Sequence, residues 1–424
     1  MSDSERKIPE GRVGRLARMA ALGVRTGAGM LMDRDGSSGA KRAADVLGTL
    51  RGLAAKVGQM ASYVDGIVPE GQRDAYEASM RVLRAQAPRS SPSAIRALVE
   101  EELGGPIDTL FATFVDEPLA SASIGQVHRA TLPDGRAVAV KVQHPGIARA
   151  VESDLANASI IEGLAGTLAG KRFDSRSMLD VIKKRFREEL DYGMEGANIG
   201  HFTRVHAGDP RIRIPAFVET HSRRRVLTTE LAEGIDFDEA CAAPEKERIE
   251  WARTMWRFVF KGNLIGGRFN ADPHPGNYIF QPDGGVAFLD YGCVQEISEP
   301  KRLMAHAVHW AALDRDEARF ARAVSTLVDA KPGGLEDMAV DYTRRCFRPL
   351  FESPYRVTKT YAASLVEKMK DMGMAARKVK DEEFFTMPAD MVFINRLQFG
   401  FYSVLARLDV EVDYAAVERG FLPR

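Results

Sequence analysis

Aspartate and asparagine side chains stand in two short segments whose spacing suits phosphate chemistry. The first is the loop Asp272-Pro273-His274-Pro275-Gly276-Asn277, and the second is Asp290-Tyr291-Gly292, which follows an apolar stretch. The spacing Asp-x-x-x-x-Asn is that of a kinase catalytic loop, and Asp-Tyr-Gly is similar to the metal-binding D-F-G segment. Carboxylate and amide oxygens are ligands that Mg²⁺ prefers. Either segment alone would also fit an ordinary turn, but both in this order predict a phosphoryl-transfer centre with Asp272 catalytic and Asn277 and Asp290 as metal ligands.

A single lysine, Lys141, interrupts the apolar stretch Ala137–Val142. A lysine in such a stretch must be paired or must reach solvent, and V-A-V-K matches the V-A-I-K pattern, in which the lysine contacts nucleotide phosphates and a helical acid. Upstream, Ala120-Ser121-Ala122-Ser123 supplies small side chains that would let backbone amides approach phosphates, although it is not a G-x-G-x-x-G loop. By themselves, these elements also fit an edge-strand lysine facing water and a small-residue turn.

Hydrophobic periodicity predicts the elements that must position these residues. Residues 1–110 are expected to be mostly helical, including a helix at Ser93–Leu103 that ends at Gly104-Gly105. Further helices are expected at 154–169, 177–200 and 245–261, and from residue 299 onward. Alternation and turn residues predict strands at 126–132, 136–143, 211–218, 226–231, 278–281 and 286–289. This order predicts an α+β protein in which a small β-rich lobe is joined to a larger helical lobe.

The composition is that of an ordinary globular protein without excess charge. The 424 residues include 59 basic and 59 acidic side chains, so nothing indicates nucleic-acid binding. Three cysteines, at positions 241, 293 and 346, have no motif spacing, which argues against a disulfide framework and a zinc site. No apolar run is long enough for a transmembrane helix. Between residues 11 and 32 four arginines occur without an acid, which indicates either a helix on an anionic surface or an ordinary basic helix.

Together, these segments resemble the UbiB/AarF-type atypical kinases, a family linked to ubiquinone biosynthesis. The resemblance covers about residues 45–295 and also rests on Lys56-Val57-Gly58-Gln59, Ser123–His128 and Glu189–Asn198. It implies an α+β, protein-kinase-like two-lobed fold, with a small β-rich N-lobe, a helical C-lobe and an added N-terminal helical extension. The corresponding regions are a basic N-terminal extension at 1–40, a helical region carrying Lys-x-Gly-Gln at 41–110, the N-lobe with inserted helices at 111–234 and the helical C-lobe at 235–424.

The resemblance also implies roles for individual residues. Lys56 would be catalytic and, with Gln59, would lie on a helix that covers the active site and contacts Glu189 and Asp191. ATP and Mg²⁺ are the expected cofactors. The expected nucleotide-binding residues are Ala120, Ser121, Ala122, Ser123, Gln126, Lys141, Glu195 and Glu230.

Glu195 is the expected partner of Lys141. A continuous helix through 177–200 would place Asp191 and Glu195, four residues apart, on one face. Met194 and Gly196 stand where the family more often has arginine and alanine, and this departure is expected to loosen the helix around Glu195.

Three functions are compatible with these residues. The first is an atypical kinase or ATPase that binds Mg-ATP and supports ubiquinone or other isoprenoid-lipid metabolism. The second is a catalytically weak pseudokinase that acts as a nucleotide-gated scaffold or lipid-binding protein, and the third is a small-molecule phosphotransferase similar to aminoglycoside kinases. The expected partners are ATP and ADP, with peripheral membrane or lipid contact. The expected location is the cytoplasm or the inner membrane face.

Overall fold

The computed structural model describes residues 90–121, 124–153, 184, 187–329, 332–376 and 389–424, with the backbone alone at 370, 373–376 and 389–397. The helices, in chain order, are α1 (Pro92–Leu103), α2 (Ile107–Leu110), α3 (Tyr192–Val205), α4 (Phe237–Ala242), α5 (Glu245–Leu264), α6 (Glu299–Leu313), α7 (Glu317–Val328), α8 (Gly334–Cys346), α9 (Arg348–Phe351), α10 (Lys359–Ala376), α11 (Ala389–Leu408) and α12 (Tyr414–Arg419). The strands are β1 (Thr113–Phe114), β2 (Ala120–Ser121), β3 (Gly125–Thr131), β4 (Ala137–Gln143), β5 (Ile212–Arg213), β6 (Val226–Glu230), β7 (Arg268–Asn270), β8 (Tyr278–Phe280), β9 (Val286–Phe288), β10 (Val294–Glu296), β11 (Tyr355–Arg356) and β12 (Glu411–Val412). Short 3₁₀ turns lie at Glu219–His221 and Pro275–Asn277, and residues 147–153 and 187–189 are also helical.

The described chain divides into two compact units. The first comprises the residues up to Gly196 together with Ala216–Leu231, and the second comprises Ala197–Pro215 and Ala232–Arg424. The division falls within α3, directly after Gly196. The segment Ala197–Pro215, which lies inside the expected 111–234 region, thus belongs to the second unit.

The first unit is built on an antiparallel sheet with strand order β1-β3-β4-β6. Strands β1 and β2 pair with opposite ends of β3. The hairpin β3–β4 lies within one residue of its predicted limits, because Pro133-Asp134-Gly135 supplies the turn: Gly135 adopts a φ of 90°, and Asp134 Oδ1 accepts the Arg136 N–H. The predicted strand at 226–231 is likewise confirmed as β6.

Alternation along β4 determines the face that Lys141 occupies. The packed core between β4 and the apolar side of α1 includes the fully buried Val138, Val140 and Val142. Successive side chains of a strand point to opposite faces, so Lys141 projects from the other face of the sheet. The predicted helix α1 is confirmed, since Ser91 caps its start and Gly104, with a φ of 78°, ends it.

Among its described residues, the second unit contains three small sheets and most of the helices. Strand β9 lies between β5, which is parallel to it, and β8, which is antiparallel; β7 pairs with β10, and β11 with β12. Of the predicted strand at 211–218, only Ile212–Arg213 pairs with β9, whereas Phe217 forms an isolated bridge with Thr229 of β6. Pro215, which has no N–H to donate to a sheet, lies between these two pairings. The helices expected after residue 299 are confirmed, whereas the β11–β12 pair was not predicted. None of the described helices is both long enough and apolar enough to span a bilayer.

The prediction of a continuous helix at 177–200 is wrong, because the chain is not helical at Leu190 and Asp191. Leu190 forms a turn, Asp191 is not helical, and α3 begins at Tyr192. Asp191 Oδ1 accepts the Gly193 N–H at 3.0 Å, which is how a residue that precedes a helix caps its first turn. Asp191 therefore lies outside the helix that carries Glu195, and the two do not share a helical face. The predicted helices at 154–169 and before residue 90 lie outside the described residues.

His206 is a buried histidine enclosed by aromatic rings. It is 3% exposed, and its ring lies 4.9 Å from that of Phe258 and 6.2 Å from that of Phe202, centroid to centroid. Neither ring nitrogen has a hydrogen-bond partner among the residues that the structure describes. Burial, with a smaller contribution from the charge of Lys261, lowers the pKa of His206 to about 3. The folded protein therefore keeps this ring neutral.

The free energy of unfolding should decrease as the pH falls from about 6.5 towards 3, because His206 is neutral in the folded protein. In this range the unfolded chain binds a proton at this histidine and the native chain does not, so the free energy of unfolding falls by about 1.4 kcal/mol per pH unit from this group. The variant His206→Phe should lack this component, so between pH 7 and pH 5 it should lose roughly 2 kcal/mol less stability than the wild type. Urea unfolding at pH 7, 6 and 5 measures both slopes, and equal slopes in the two proteins would contradict the assignment.

Candidate active site

The loop that carries Asp272 is closed by its own hydrogen bonds. It follows β7 and enters β8 through the 3₁₀ turn Pro275–Asn277. The Asp272 carbonyl accepts the His274 N–H at 2.8 Å and the Asn277 Nδ2–H at 3.1 Å. His274 Nδ1 accepts the Gly276 N–H at 2.9 Å, so this histidine shapes the loop. Two prolines further restrict the backbone, and Asp272 and Asn277 are held in a fixed relation.

Asp290 lies beside Asn277 because β8 and β9 form a hairpin. The Leu289 N–H donates to the Asn277 carbonyl at 3.0 Å, and Asp290 follows directly. The Gly292 N–H donates to Asp290 Oδ1 at 2.9 Å, which orients the carboxylate. The Tyr291 ring, which replaces the phenylalanine of D-F-G, is 1% exposed. The predicted return of the chain from Asn277 to Asp290 is confirmed.

These side chains line one cleft in the second unit. Its polar lining comprises Asn270, Asp272, Asn277 and Asp290, and its apolar lining includes Phe258. Because the Asn277 amide nitrogen is engaged with the loop, its carbonyl oxygen is the atom that can bind a cation. Amide and carboxylate oxygens are hard donors that suit Mg²⁺. The residues present therefore fit the metal ion that the two motifs imply.

Tyr278 directly follows the loop that carries Asp272, lines the same cleft and is buried. Burial, with a contribution from the charge of Asp272, raises the pKa of Tyr278 well above its ordinary value. The phenol therefore stays protonated and cannot act as a base at neutral pH. In the cleft lining, the carboxylates of Asp272 and Asp290 are therefore the acidic side chains that can accept a proton or bind a cation.

In the first unit, Lys141 makes the predicted ion pair with Glu195. Lys141 Nζ lies 2.9 Å from both Oε1 and Oε2 of Glu195 and 5.1 Å from the centre of the Tyr192 ring. The Glu195 side chain is 3% exposed and that of Lys141 21% exposed. Strand β4 lies between β3 and β6, so the alternative of an edge-strand lysine facing water is wrong.

The acids expected to contact the Lys-x-Gly-Gln helix lie just before α3. Asp191 caps α3 and lies 4.0 Å from the guanidinium of Arg224, and Glu189 is half-buried in the helical residues 187–189. Lys56 and Gln59 lie outside the described residues, so their contact with these acids stays a prediction.

The small-residue segment enters the sheet of the first unit as a short strand. Ala120 and Ser121 form β2 beside β3, whereas Ala122 and Ser123 lie outside the described residues. Ser121 Oγ is buried and has no hydrogen-bond partner within the described part of the chain. A buried hydroxyl in this state is a donor that a ligand can use, which suits the expected nucleotide contact.

The first unit also contains two further residues that were predicted to bind nucleotide, Gln126 and Glu230. Gly125 lies next to Gln126 at the start of β3. Gln126 is 1% exposed and its Oε1 accepts the Ser90 N–H at 2.7 Å, which joins the start of β3 to the chain before α1. A Cβ at Gly125 would overlap a main-chain carbonyl of β4, so only glycine allows this close approach. Glu230 ends β6 with an exposed side chain, and its N–H donates to the Ala216 carbonyl at 2.9 Å.

Gly196 has a packing role that the sequence did not reveal. A Cβ at this position would lie 2.8 Å from ring atoms of Phe217. The glycine therefore lets this ring pack against the backbone of α3 one residue after Glu195. Helix α3 continues through Met194 and Gly196 to Val205, and its expected loosening stays a prediction.

Two asparagines near the cleft, Asn270 and Asn198, were not among the predicted site residues. Asn270 Oδ1 accepts the Asp272 N–H at 3.0 Å, and its Nδ2–H donates to the Asp290 carbonyl. Asn198 Nδ2–H donates to the Tyr291 carbonyl at 3.0 Å. A signal for Asn270 existed, because it precedes Asp272 by two residues, as the histidine does in H-R-D.

Comparison with known proteins identifies the family of this chain. The family model described as the ABC1 atypical kinase-like domain matches residues 82–324. The chain is 34% identical over 310 residues to "Atypical kinase COQ8B, mitochondrial" of Rattus norvegicus, covering 68% of this chain and 57% of that protein. It is 34% identical over 261 residues to "AarF domain-containing protein kinase 1" of Mus musculus (60% and 49%). It is 35% identical over 236 residues to "Protein ACTIVITY OF BC1 COMPLEX KINASE 3, chloroplastic" of Arabidopsis thaliana (53% and 32%).

A solved structure, described as the complex of Rv3197 with erythromycin from Mycobacterium tuberculosis, is similar with a TM-score of 0.65 and 24% identity. The similarity covers 97% of this chain and 99% of that chain, and it supports the fold alone. The chain spans about half the length of the vertebrate relatives that it matches. Since the ABC1 model matches more than half of the residues, the chain belongs to the ABC1, or UbiB/AarF, family of atypical kinases.

Proposed function

We propose that this chain binds Mg-ATP and acts as an atypical kinase or ATPase. The observation that supports this best is the cleft of the second unit, where Asp272, Asn277 and Asp290 meet with oxygen donors for a hard cation. In the first unit, the Lys141–Glu195 pair would supply the cation that phosphate chemistry requires. Membership of an atypical kinase family supports a phosphotransferase in general.

Each residue has a distinct role in this proposal. Asn277 and Asp290 would hold Mg²⁺, which when bound neutralises charge on the phosphates. Lys141, oriented by Glu195, would bind phosphate oxygens, and Asp272 would accept the proton of an attacking hydroxyl or water. Further nucleotide contacts would come from Ala120, Ser121, Ala122, Ser123, Gln126 and Glu230.

The proposal includes a two-lobed, kinase-like arrangement. The proposed bounds are 111–234 for the N-lobe and 235–424 for the C-lobe. The basic extension at 1–40 and the helical region at 41–110 precede the two lobes. Within it, Lys56 and Gln59 would contact Glu189 and Asp191 and shield the site from protein substrates. Such shielding would direct phosphate to a small molecule or to water.

We also propose a role in ubiquinone or other isoprenoid-lipid metabolism. This rests on family membership and on the rat relative, which is named a mitochondrial atypical kinase. The four arginines between residues 11 and 32 would supply peripheral contact with an anionic membrane surface. The location proposed is therefore the cytoplasm, with part of the protein on the inner membrane face.

A thermal-shift and phosphate-release series tests the proposal. The protein should gain stability with ATP or ADP plus Mg²⁺, and phosphate release should exceed that of Asp272→Ala by at least about 100-fold, the usual contribution of a general base. Additions of phospholipid and of a phenolic quinone precursor test the lipid link. Binding without turnover above Asp272→Ala would favour the pseudokinase, and transfer to an aminoglycoside or sugar alcohol would favour the small-molecule phosphotransferase. Absence of any nucleotide-dependent shift would refute Mg-ATP binding.

A further inference from the structure

Two asparagine side chains hold consecutive carbonyl groups of the segment that carries Asp290. Asn270, at the end of β7, donates from Nδ2 to the Asp290 carbonyl. Asn198, on α3, donates from Nδ2 to the Tyr291 carbonyl at 3.0 Å. All of these residues belong to the second unit. The backbone of the metal-binding segment is thus held by two separate elements.

A second contact fixes the orientation of each amide. Asn270 Oδ1 accepts the Asp272 N–H at 3.0 Å, so its nitrogen is directed to the Asp290 carbonyl. Asn198 Oδ1 accepts a guanidinium N–H of Arg268 at 3.4 Å, and Arg268 is in turn paired with Glu296. The oxygen and nitrogen of an amide are assigned from such partners. In both asparagines, the NH₂ group of the side chain therefore faces the segment that carries Asp290.

The side chain of Tyr291 adds a third restraint. Its ring is 1% exposed and lies 5.2 Å from the ring of Phe202 and 6.4 Å from that of Phe258. A buried ring flanked by two hydrogen-bonded carbonyls restricts the backbone that presents the Asp290 carboxylate. A metal ligand that is held in place beforehand binds more tightly, because less ordering is required when the ion arrives.

We propose that Asn198 and Asn270, here named the asparagine pair, are positioning residues that hold the Asp290 carboxylate in its metal-binding geometry before nucleotide binds. Asn270 also contacts the Asp272 amide, so it couples the catalytic loop to the metal-binding segment. The inference rests on the proposed magnesium–nucleotide function. It extends that function to two residues that themselves need not touch the ion.

The Mg²⁺ concentration that produces half of the maximal thermal shift with saturating ADP measures this role. Asn198→Ala and Asn270→Ala should each raise that concentration by roughly tenfold, as removal of a partner behind a metal ligand commonly does. The shift produced by ADP without Mg²⁺ should stay unchanged, whereas a general structural defect would lower both. Asn263→Ala on α5 is the matched control and should change neither.

Hydrogen exchange of the ligand-free protein tests the same geometry without nucleotide. The Asp272 amide should exchange faster in Asn270→Ala, which loses its acceptor, and at the wild-type rate in Asn198→Ala. Amides of residues 286–293 should exchange faster in both variants. Wild-type exchange together with a wild-type Mg²⁺ requirement would overturn the inference. A wild-type protein without any Mg²⁺-dependent shift would refute the proposed function instead, and the exchange rates would still decide whether the pair holds the segment.

Discussion

Replacing Asp290 by asparagine should abolish the magnesium-dependent thermal shift with ATP and reduce phosphate release by at least about 100-fold. The substitution keeps the size of the side chain and an oxygen that can accept the Gly292 N–H. It removes the negative charge, which is what a carboxylate contributes to a Mg²⁺ site beyond an amide. The loss should therefore appear in the metal-dependent part of nucleotide binding, without loss of the fold.

Asp283→Asn is a matched control for this variant. Asp283 lies in the turn between β8 and β9, and its Oδ1 accepts the Gly285 N–H at 2.8 Å, the same local contact that Asp290 makes with Gly292. It is paired with Arg213 on the surface and does not line the cleft. The control should bind Mg-ATP like the wild type. Equal Mg-ATP binding and phosphate release in Asp290→Asn and the wild type would show that Asp290 does not bind the metal.

Replacing Lys141 by methionine should destabilise the first unit by roughly 3 kcal/mol and should abolish binding of the nucleotide phosphates. The Glu195 carboxylate is 3% exposed and both its oxygens lie 2.9 Å from Lys141 Nζ, so loss of the lysine would remove a close cation from a buried carboxylate. Removing one partner of a buried ion pair costs more than the pair itself contributes. Chemical unfolding and nucleotide titration measure the two effects separately.

The double variant Lys141→Met/Glu195→Leu separates charge burial from packing. It should recover most of the lost stability, because a buried ion pair can often be replaced by apolar side chains, but it should not recover nucleotide binding. Arg136→Met removes a surface ion pair with Asp134 in the turn between β3 and β4 and should leave stability almost unchanged. If the single and double variants were equally unstable, the buried carboxylate would not be the cause.

Local chemistry made much of the site predictable. The turn residues Pro133-Asp134-Gly135 identified the β3–β4 hairpin, and the apolar alternation of β4 made Lys141 stand out as a residue in need of a partner. The turn between β8 and β9 implied that Asn277 and Asp290 lie together, which their main-chain contacts confirm. Each of these features depends on residues close in the chain, where periodicity and turn preferences are informative.

The sequence alone therefore determined the hairpins, the lysine within β4 and the two motifs proposed to bind the metal ion, whereas the tertiary structure decided which distant residues support them. Periodicity allowed a helix through Asp191, and only the contact with Gly193 shows that this aspartate caps α3 instead. Asn198 donates a hydrogen bond to the carbonyl of Tyr291, which is 93 residues away in the chain. Position 196 must be glycine because the ring of Phe217 packs against it. A hydrophobic pattern records which side of an element is buried, but not which remote group it meets, because that depends on how the elements pack.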